Sequence, residues 1–219
     1  MTIKYHQRSR SLKIRFLTIF VGTFVLVFSL LNTRYLYANV RYWIEPGTIK
    51  TNDSLDKARL LPLAEDISTK PLPDHARLVI DSIGVNAPIV FGVPTDNDSV
   101  YKNLENGVVH YSSTPRPSQK GVSVVLGHSS AYPWYKGHYG SIFALLNKLN
   151  PGDKFYIQYS DNRVFVFQVK ESLVFNPFGD DERLKELEQS NKPSLILLSC
   201  WPVGTNYRRI AIQAELIQE

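Results

Sequence analysis

The sequence predicts a mainly-β domain, a closed barrel or a sandwich, behind one N-terminal membrane-spanning helix. Three observations predict it. Residues 16–31, FLTIFVGTFVLVFSLL, carry no charge. Eight short runs rich in β-branched and aromatic residues come after residue 76, and Gly, Pro, Asn and Asp punctuate them at short intervals.

With Ile14 and Asn32 the apolar stretch reaches about 19 residues, close to the ~20 a spanning helix needs. Lys4, Arg8, Arg10, Lys13 and Arg15 precede it with no acidic residue among them, which keeps the N-terminus cytoplasmic and the rest extracytoplasmic. A cleaved signal peptide has a core of roughly 7–15 residues and a small-x-small site. Asn32-Thr33-Arg34-Tyr35-Leu36-Tyr37 offers no such site, so the expectation is an uncleaved, single-pass anchor. The chain then divides into a basic cytoplasmic tail (1–13), a transmembrane signal anchor (14–34), an extracytoplasmic linker or stalk (35–75) and one domain (76–219). Tyr35, Tyr37, Tyr42 and Trp43 are either an interfacial aromatic belt or an ordinary juxtamembrane stretch. Five of the 25 Lys and Arg lie in the first 15 positions, and the other 204 residues balance 20 basic against 20 acidic groups. The basic pI therefore argues for contact with anionic lipid and not for nucleic acid.

No sustained period marks the segment before residue 75. Asp53–Asp66 could form a short helix, and Lys70-Pro71-Leu72-Pro73-Asp74 reads as a stiff, extended connector. The expected strands are Arg77–Ile80, Ala87–Val90, Gly107–His110, Val122–Leu126, Lys154–Tyr159, Val164–Val169, Leu195–Cys200 and Ile210–Leu216. Ser160-Asp161-Asn162-Arg163 is a hairpin signal between the fifth and sixth. Ser141–Leu149, stopped by Asn150-Pro151-Gly152, and Asp180–Gln189, led by acidic residues, are expected helices.

Cys200 is the chain's one cysteine, so it forms no intramolecular disulfide; its value lies in packing or in reactivity. A thiolate is the working nucleophile, and a free thiol with pKa near 8.5 needs a neighbour to activate it. Of the five histidines, His6 is on the wrong side of the membrane and His75 is in the linker. His128 ends the run Val122–Leu126 through Gly127, where a rigid strand meets a loop, as Cys200 ends its own strand. His110 and His138 are the reserves. Arg209 begins the last strand, where a guanidinium could hydrogen-bond a carbonyl oxygen as it gains charge. Arg208 is its rival, and strand alternation lets only one of the two reach the site.

Strand-ending His128 and Cys200 with Arg209 on the following strand, behind a basic tail and a single span, resemble the sortases, membrane-anchored cysteine transpeptidases of bacterial surfaces. The resemblance rests on Arg77–Ile89, on Gly127-His128-Ser129-Ser130, and on Leu197-Leu198-Ser199-Cys200-Trp201-Pro202 through Asn206-Tyr207-Arg208-Arg209. The family's nucleophile motif is T-L-x-T-C; here Ile196 and Ser199 replace its two threonines, while Leu197 and Cys200 fit. The resemblance implies the sortase barrel of about eight strands. It implies Cys200 as nucleophile on an LPxTG-like sorting signal, His128 as general acid and base, and Arg209 for substrate orientation and the oxyanion. The acceptor it implies is an amine of a peptidoglycan cross-bridge or a pilin lysine, with the enzyme in the bacterial plasma membrane. It favours Arg209 over Arg208.

Trp201, Ser199, Trp134 and Tyr135 are candidate substrate-binding residues by proximity to Cys200 and His128, although aromatics also fill cores. Glu171–Pro193 occupies the position of the family's signal-reading loop, and is equally a solvated connection. No cofactor and no metal is expected: the lone Cys and scattered His lack paired zinc spacing, and Asp180, Asp181 and Glu182 look as much like a helix start as a calcium ligand set. The Asp-Pro-aromatic lid tripeptide of pilin-type sortases does not occur in residues 44–76, which tilts the class away from them. Two alternatives stand beside transpeptidation: a thiol protease or hydrolase on the same scaffold, and a membrane-tethered barrel that binds without chemistry.

Overall fold

The structure, a computed structural model, describes residues 3–44, 71–132, 134–179, 182–187 and 189–217. The expected helix over Asp53–Asp66 and most of the expected stalk lie outside the described residues.

Helix α1 runs Ile3–Leu31, and its stretch Lys13–Leu31 is long and apolar enough to cross a bilayer. Both threonines in that stretch turn their hydroxyls back on the helix. Thr18 Oγ1 donates to Ile14 O and Thr23 Oγ1 to Ile19 O, each at 2.8 Å, so neither needs a partner from lipid. Where the sequence suggested no regular period, helix α2 covers Thr33–Ile44. No Gly or Pro interrupts it before Pro46.

Eight strands close into a barrel. They are β1 (Ala76–Ile80), β2 (Val85–Val90), β3 (Val108–His110), β4 (Val122–Leu126), β5 (Lys154–Tyr159), β6 (Val164–Phe175), β7 (Ser194–Trp201) and β8 (Arg208–Leu216). Around the barrel the order is β1-β2-β3-β4-β7-β8-β6-β5. The pairs β2–β3 and β4–β7 are parallel and the others antiparallel.

Period-two alternation divides the faces. Val125 on β4, Leu195 and Leu197 on β7, and Ile210, Ile212 and Ala214 on β8 fill the interior with Phe143, Phe155 and Phe167. Their alternates make two outer clusters. Val122, Ile196, Leu173, Phe175 and Ala211 pack with Leu187 of helix α4 (Glu182–Leu187). Val109 and Leu126 pack with Val93, Val100 and Leu104 around helix α3 (Asn97–Asn103). Asp96 caps α3, its carboxylate accepting the Ser99 N–H at 2.9 Å.

Besides α2 and α3, which the sequence did not suggest, two segments differ from expectation. β6 runs on to Phe175, so the expected loop from Glu171 begins as a strand paired to β8; a register shift between Val169 and Glu171 breaks the alternation there. Ser141–Leu149 makes turns and one 3-10 turn at Leu146–Lys148 in place of a helix. Phe143, Ala144, Leu145 and Leu146 are buried in succession, a pattern with no helical stripe.

The last residues of the expected linker are held against the barrel. Arg163 Nη2 donates to Pro71 O at 2.8 Å, and Arg116 Nη1 to Leu72 O at 3.2 Å and Pro73 O at 2.9 Å. The Arg116 guanidinium also lies 4.5 Å over the Phe91 ring.

Candidate active site

β4 and β7 run parallel with Leu126 beside Leu198, and Gly127 N donates to Leu198 O at 3.1 Å. β4 ends there, and His128 follows Leu126 by two residues as Cys200 follows Leu198 on β7. β8 returns antiparallel, with Arg209 directly opposite Cys200, and on β6 Phe175 lies opposite Arg209. Cys200, Arg209 and Phe175 thus form a row across β7, β8 and β6, with His128 just past the end of neighbouring β4.

Alternation also assigns that row to one face. Cys200 follows Ile196 and Leu198, and Arg209 shares parity with Ala211, so both lie on the outer face; His128, past the end of β4, turns its ring to Tyr101, on the helix that covers outer-face Leu126. Directly opposed residues on one face have Cβ atoms about 4.5–5.5 Å apart, which sets Arg209 against Cys200. Arg208 has the opposite parity, is exposed, and lies 5.8 Å over the Tyr207 ring.

The interior side of the same strand ends fixes the row. Ser199 is 3% exposed, and its Oγ donates to Gly127 O at 2.7 Å, tying β7 to β4 between Cys200 and His128. At Gly127 a Cβ would lie 2.4 Å from a Phe143 ring carbon, so only glycine lets the ring pass. Phe143 N in turn donates to His128 O at 2.9 Å.

On the outer side, two rings flank the His128 imidazole. Tyr101 of α3 stacks with it at 6.1 Å between centroids and 26° between planes; Tyr135 meets it at 5.3 Å and 85°. Burial holds the imidazole below the ordinary histidine value. At neutral pH it is therefore largely neutral and able to accept a proton. Arg209 Nη1 donates to Asn206 O at 3.0 Å and to Arg208 O at 3.1 Å, folding the guanidinium onto the β7–β8 turn. A thiol, an imidazole and a guanidinium on one face form a set suited to acyl transfer: nucleophile, proton carrier and anion-binding fork.

The sortase-domain family model matches residues 78–217, from within β1 to the end of β8. The chain belongs to the sortase family. Sortase D of Bacillus subtilis (strain 168) is 27% identical over 172 residues, covering 76% of this chain and 74% of that relative. The crystal structure of sortase C-1 from Actinomyces oris superposes with a TM-score of 0.54 at 26% identity, covering 74% of this chain and 88% of that one. A lid mutant of sortase A from Corynebacterium diphtheriae shares the fold, with a TM-score of 0.54 at 23% identity over 86% of this chain and 94% of that one. Family and fold support transpeptidase-type chemistry, and a sortase is a cysteine enzyme; Cys200 is the one cysteine available.

In this sortase the candidate substrate-binding residues fall in different places. Trp201 is half-buried and packs against the interior cluster. Trp134 is 75% exposed and stacks on Tyr132 at 4.9 Å. Tyr135 sits against His128, and Ser199 points into the barrel. The reserve histidines are elsewhere: His110 is buried beside Phe91 with Nε2 2.9 Å from Pro115 O, and His138 is exposed in the loop after β4. Sequence reasoning missed Tyr101 and Phe175. Asp96 followed by Ser99 was the available signal for α3, and nothing local points to Phe175. Among the described residues no group of three or more His, Cys, Asp or Glu gathers as a metal site.

Proposed function

We propose that this sortase cleaves an LPxTG-like C-terminal sorting signal and transfers the surface protein to an amine. The observation that carries the reading is Cys200 opposite Arg209 on β7 and β8, with His128 just past the end of neighbouring β4. Cys200 Sγ, having given its proton to His128, attacks the signal's backbone carbonyl. The tetrahedral oxyanion is held by Arg209, whose guanidinium must swing from the β7–β8 turn. Collapse breaks the C–N bond, His128 protonates the departing amine, and a thioacyl enzyme remains. An incoming amine, of a peptidoglycan cross-bridge or a pilin lysine, gives its proton to His128 and takes the acyl group, restoring the thiol.

The outer face supports peptide binding. Ile196 and Ala211 of this face lie under Leu187 of α4, and half-buried Leu198, two residues before Cys200, is the apolar surface left beside the thiol for an extended apolar signal. The helix Lys13–Leu31, with its basic N-terminal side, fits an enzyme tethered in the bacterial plasma membrane with its N-terminus cytoplasmic.

The test is mass spectrometry of the full chain in detergent with a panel of LPxTG-like peptides and glycine or lysine amines. Peptide joined to amine, absent in Cys200→Ala, is the expected result, with Arg209→Ala slower by about 10²–10³-fold. Cleavage to the acid alone would replace the transpeptidase with a thiol hydrolase. No Cys200-dependent product across the panel would leave a binding barrel.

A further inference from the structure

We infer that Tyr101 and Tyr135 are positioning residues for His128, an aromatic cradle that orients the imidazole and stabilises its protonated form. The inference rests on the proposed role of His128 as proton carrier. A proton carrier needs its ring held in one orientation, which is commonly done by a hydrogen bond to the second ring nitrogen. Among the described residues no protein group hydrogen-bonds a ring nitrogen of His128, which leaves the orientation of the ring to packing. Two tyrosine rings lie against it: Tyr101 with its plane near parallel to the imidazole, Tyr135 perpendicular to it.

Both rings are anchored to one element. Tyr135 Oη donates to Leu104 O at 2.8 Å, and Leu104 is the buried residue that ends α3, three residues after Tyr101. The opposite end of α3 is capped by Asp96. Two glycines make room for the Tyr135 ring: a Cβ at Gly137 would lie 2.6 Å from its Oη, and one at Gly140 would lie 2.9 Å from a ring carbon. The cradle is therefore a built feature, reached from α3 on one side and from the loop after β4 on the other.

Its chemistry derives from the proton cycle. His128 is cationic when Cys200 is a thiolate and again before the leaving amine departs, and burial opposes that charge. A tyrosine face within about 6 Å attracts a cation, so the stacked Tyr101 ring offsets part of the penalty. No carboxylate takes this part. The ionisable groups on the surrounding elements include Asp96, Asp98 and Lys102 on α3 and its cap, Glu105 after it, Tyr132, Lys136, His138 and Tyr139 in the loop, Cys200 on β7 and Arg208, Arg209 and Glu215 on β8. Burial is the cause of the lowered value, and none of these groups contributes to it.

The experiment titrates His128 by NMR in the full chain in micelles, with ¹³C-labelled histidine and His128→Gln for assignment, beside kcat/KM against pH. Tyr101 is 55% exposed, so replacing it leaves the fold intact, and Tyr101→Leu keeps an apolar cover while removing the π face. Tyr101→Leu is expected to lower the His128 pKa by about 0.5 and kcat by about 3–10-fold at little change in KM, with Tyr101→Phe near the parent. Tyr135→Phe keeps the ring and loses the tie to Leu104, and is expected to lower kcat several-fold with the pKa held. A parental pKa in Tyr101→Leu, or equal losses in the Leu and Phe variants, would overturn the cradle. The titration needs no turnover, so it reads the cradle even if Cys200→Ala shows the transpeptidase reading to be wrong.

Discussion

Gly127→Ala concentrates the geometry of the site into one methyl group. The added Cβ would lie 2.4, 2.7 and 2.8 Å from three carbons of the Phe143 ring, where carbon–carbon contact needs about 3.5–4.0 Å. The ring must therefore retreat by about 1 Å, and Phe143 is 1% exposed in the interior cluster with nowhere empty to go. Overpacking of this kind costs about 1–3 kcal/mol. In a domain of roughly 150 residues that is a loss of about 3–10 °C in Tm. The displacement also reaches the chemistry, because Phe143 N holds His128 O and Ser199 Oγ holds Gly127 O. Calorimetry gives the stability, and kcat/KM for peptide cleavage gives the displacement of His128. Gly127→Ala with Phe143→Leu should recover more than half of the lost Tm, since the smaller side chain clears the methyl. An unchanged Tm in Gly127→Ala, or a double variant that merely adds the two losses, would refute the packing argument.

Three further outcomes are expected. Ser199→Ala leaves the Gly127 carbonyl without its 2.7 Å partner and should cost about 1–3 kcal/mol, whereas Ser199→Thr keeps the hydroxyl; equal melting of the two variants would remove the inter-strand tie. His110 and His128 are both held below the ordinary histidine value, chiefly by burial, so the unfolded chain binds more protons below about pH 6.5 and stability must fall as pH drops through that region. Thermal scans from pH 7.5 to 5 test this, and His110→Phe should flatten the fall; an identical slope in the variant counts against it. Arg163→Ala abandons the Pro71 carbonyl and should speed proteolysis near residues 71–74, read by time-resolved mass spectrometry, while an unaltered cleavage pattern would show that the strap does not depend on that contact.

Much of the barrel was legible locally. Val122–Leu126 and Lys154–Tyr159 have the bounds that β-branched content and turn residues predicted, because each run is flanked by Gly, Pro or Asp on a chain that must reverse. The candidate site was marked in the sequence by strand ends: Gly127 follows one apolar run and sets His128 just past β4, and Cys200 stands at the end of another, before Trp201-Pro202. The helix expected over Ser141–Leu149 failed because four successive buried residues offer no amphipathic face. The second half of β6 was missed because the irregularity at Val169/Glu171 breaks the alternation by which a strand is recognised.

From the sequence by itself come the apolar span, the balanced charge of the chain beyond the basic tail, the single thiol and the period-two runs. All are properties of neighbouring residues, since hydropathy and backbone preference act within a few positions. Only the tertiary structure decided that β4 lies beside β7, 72 residues apart at the Gly127–Ser199 bond, and that Arg209 rather than Arg208 shares a face with Cys200. It also brought Tyr101 of α3 onto the ring of His128. Strand order and register minimise the energy of the whole closed sheet, so no local segment carries the information that sets these partners side by side.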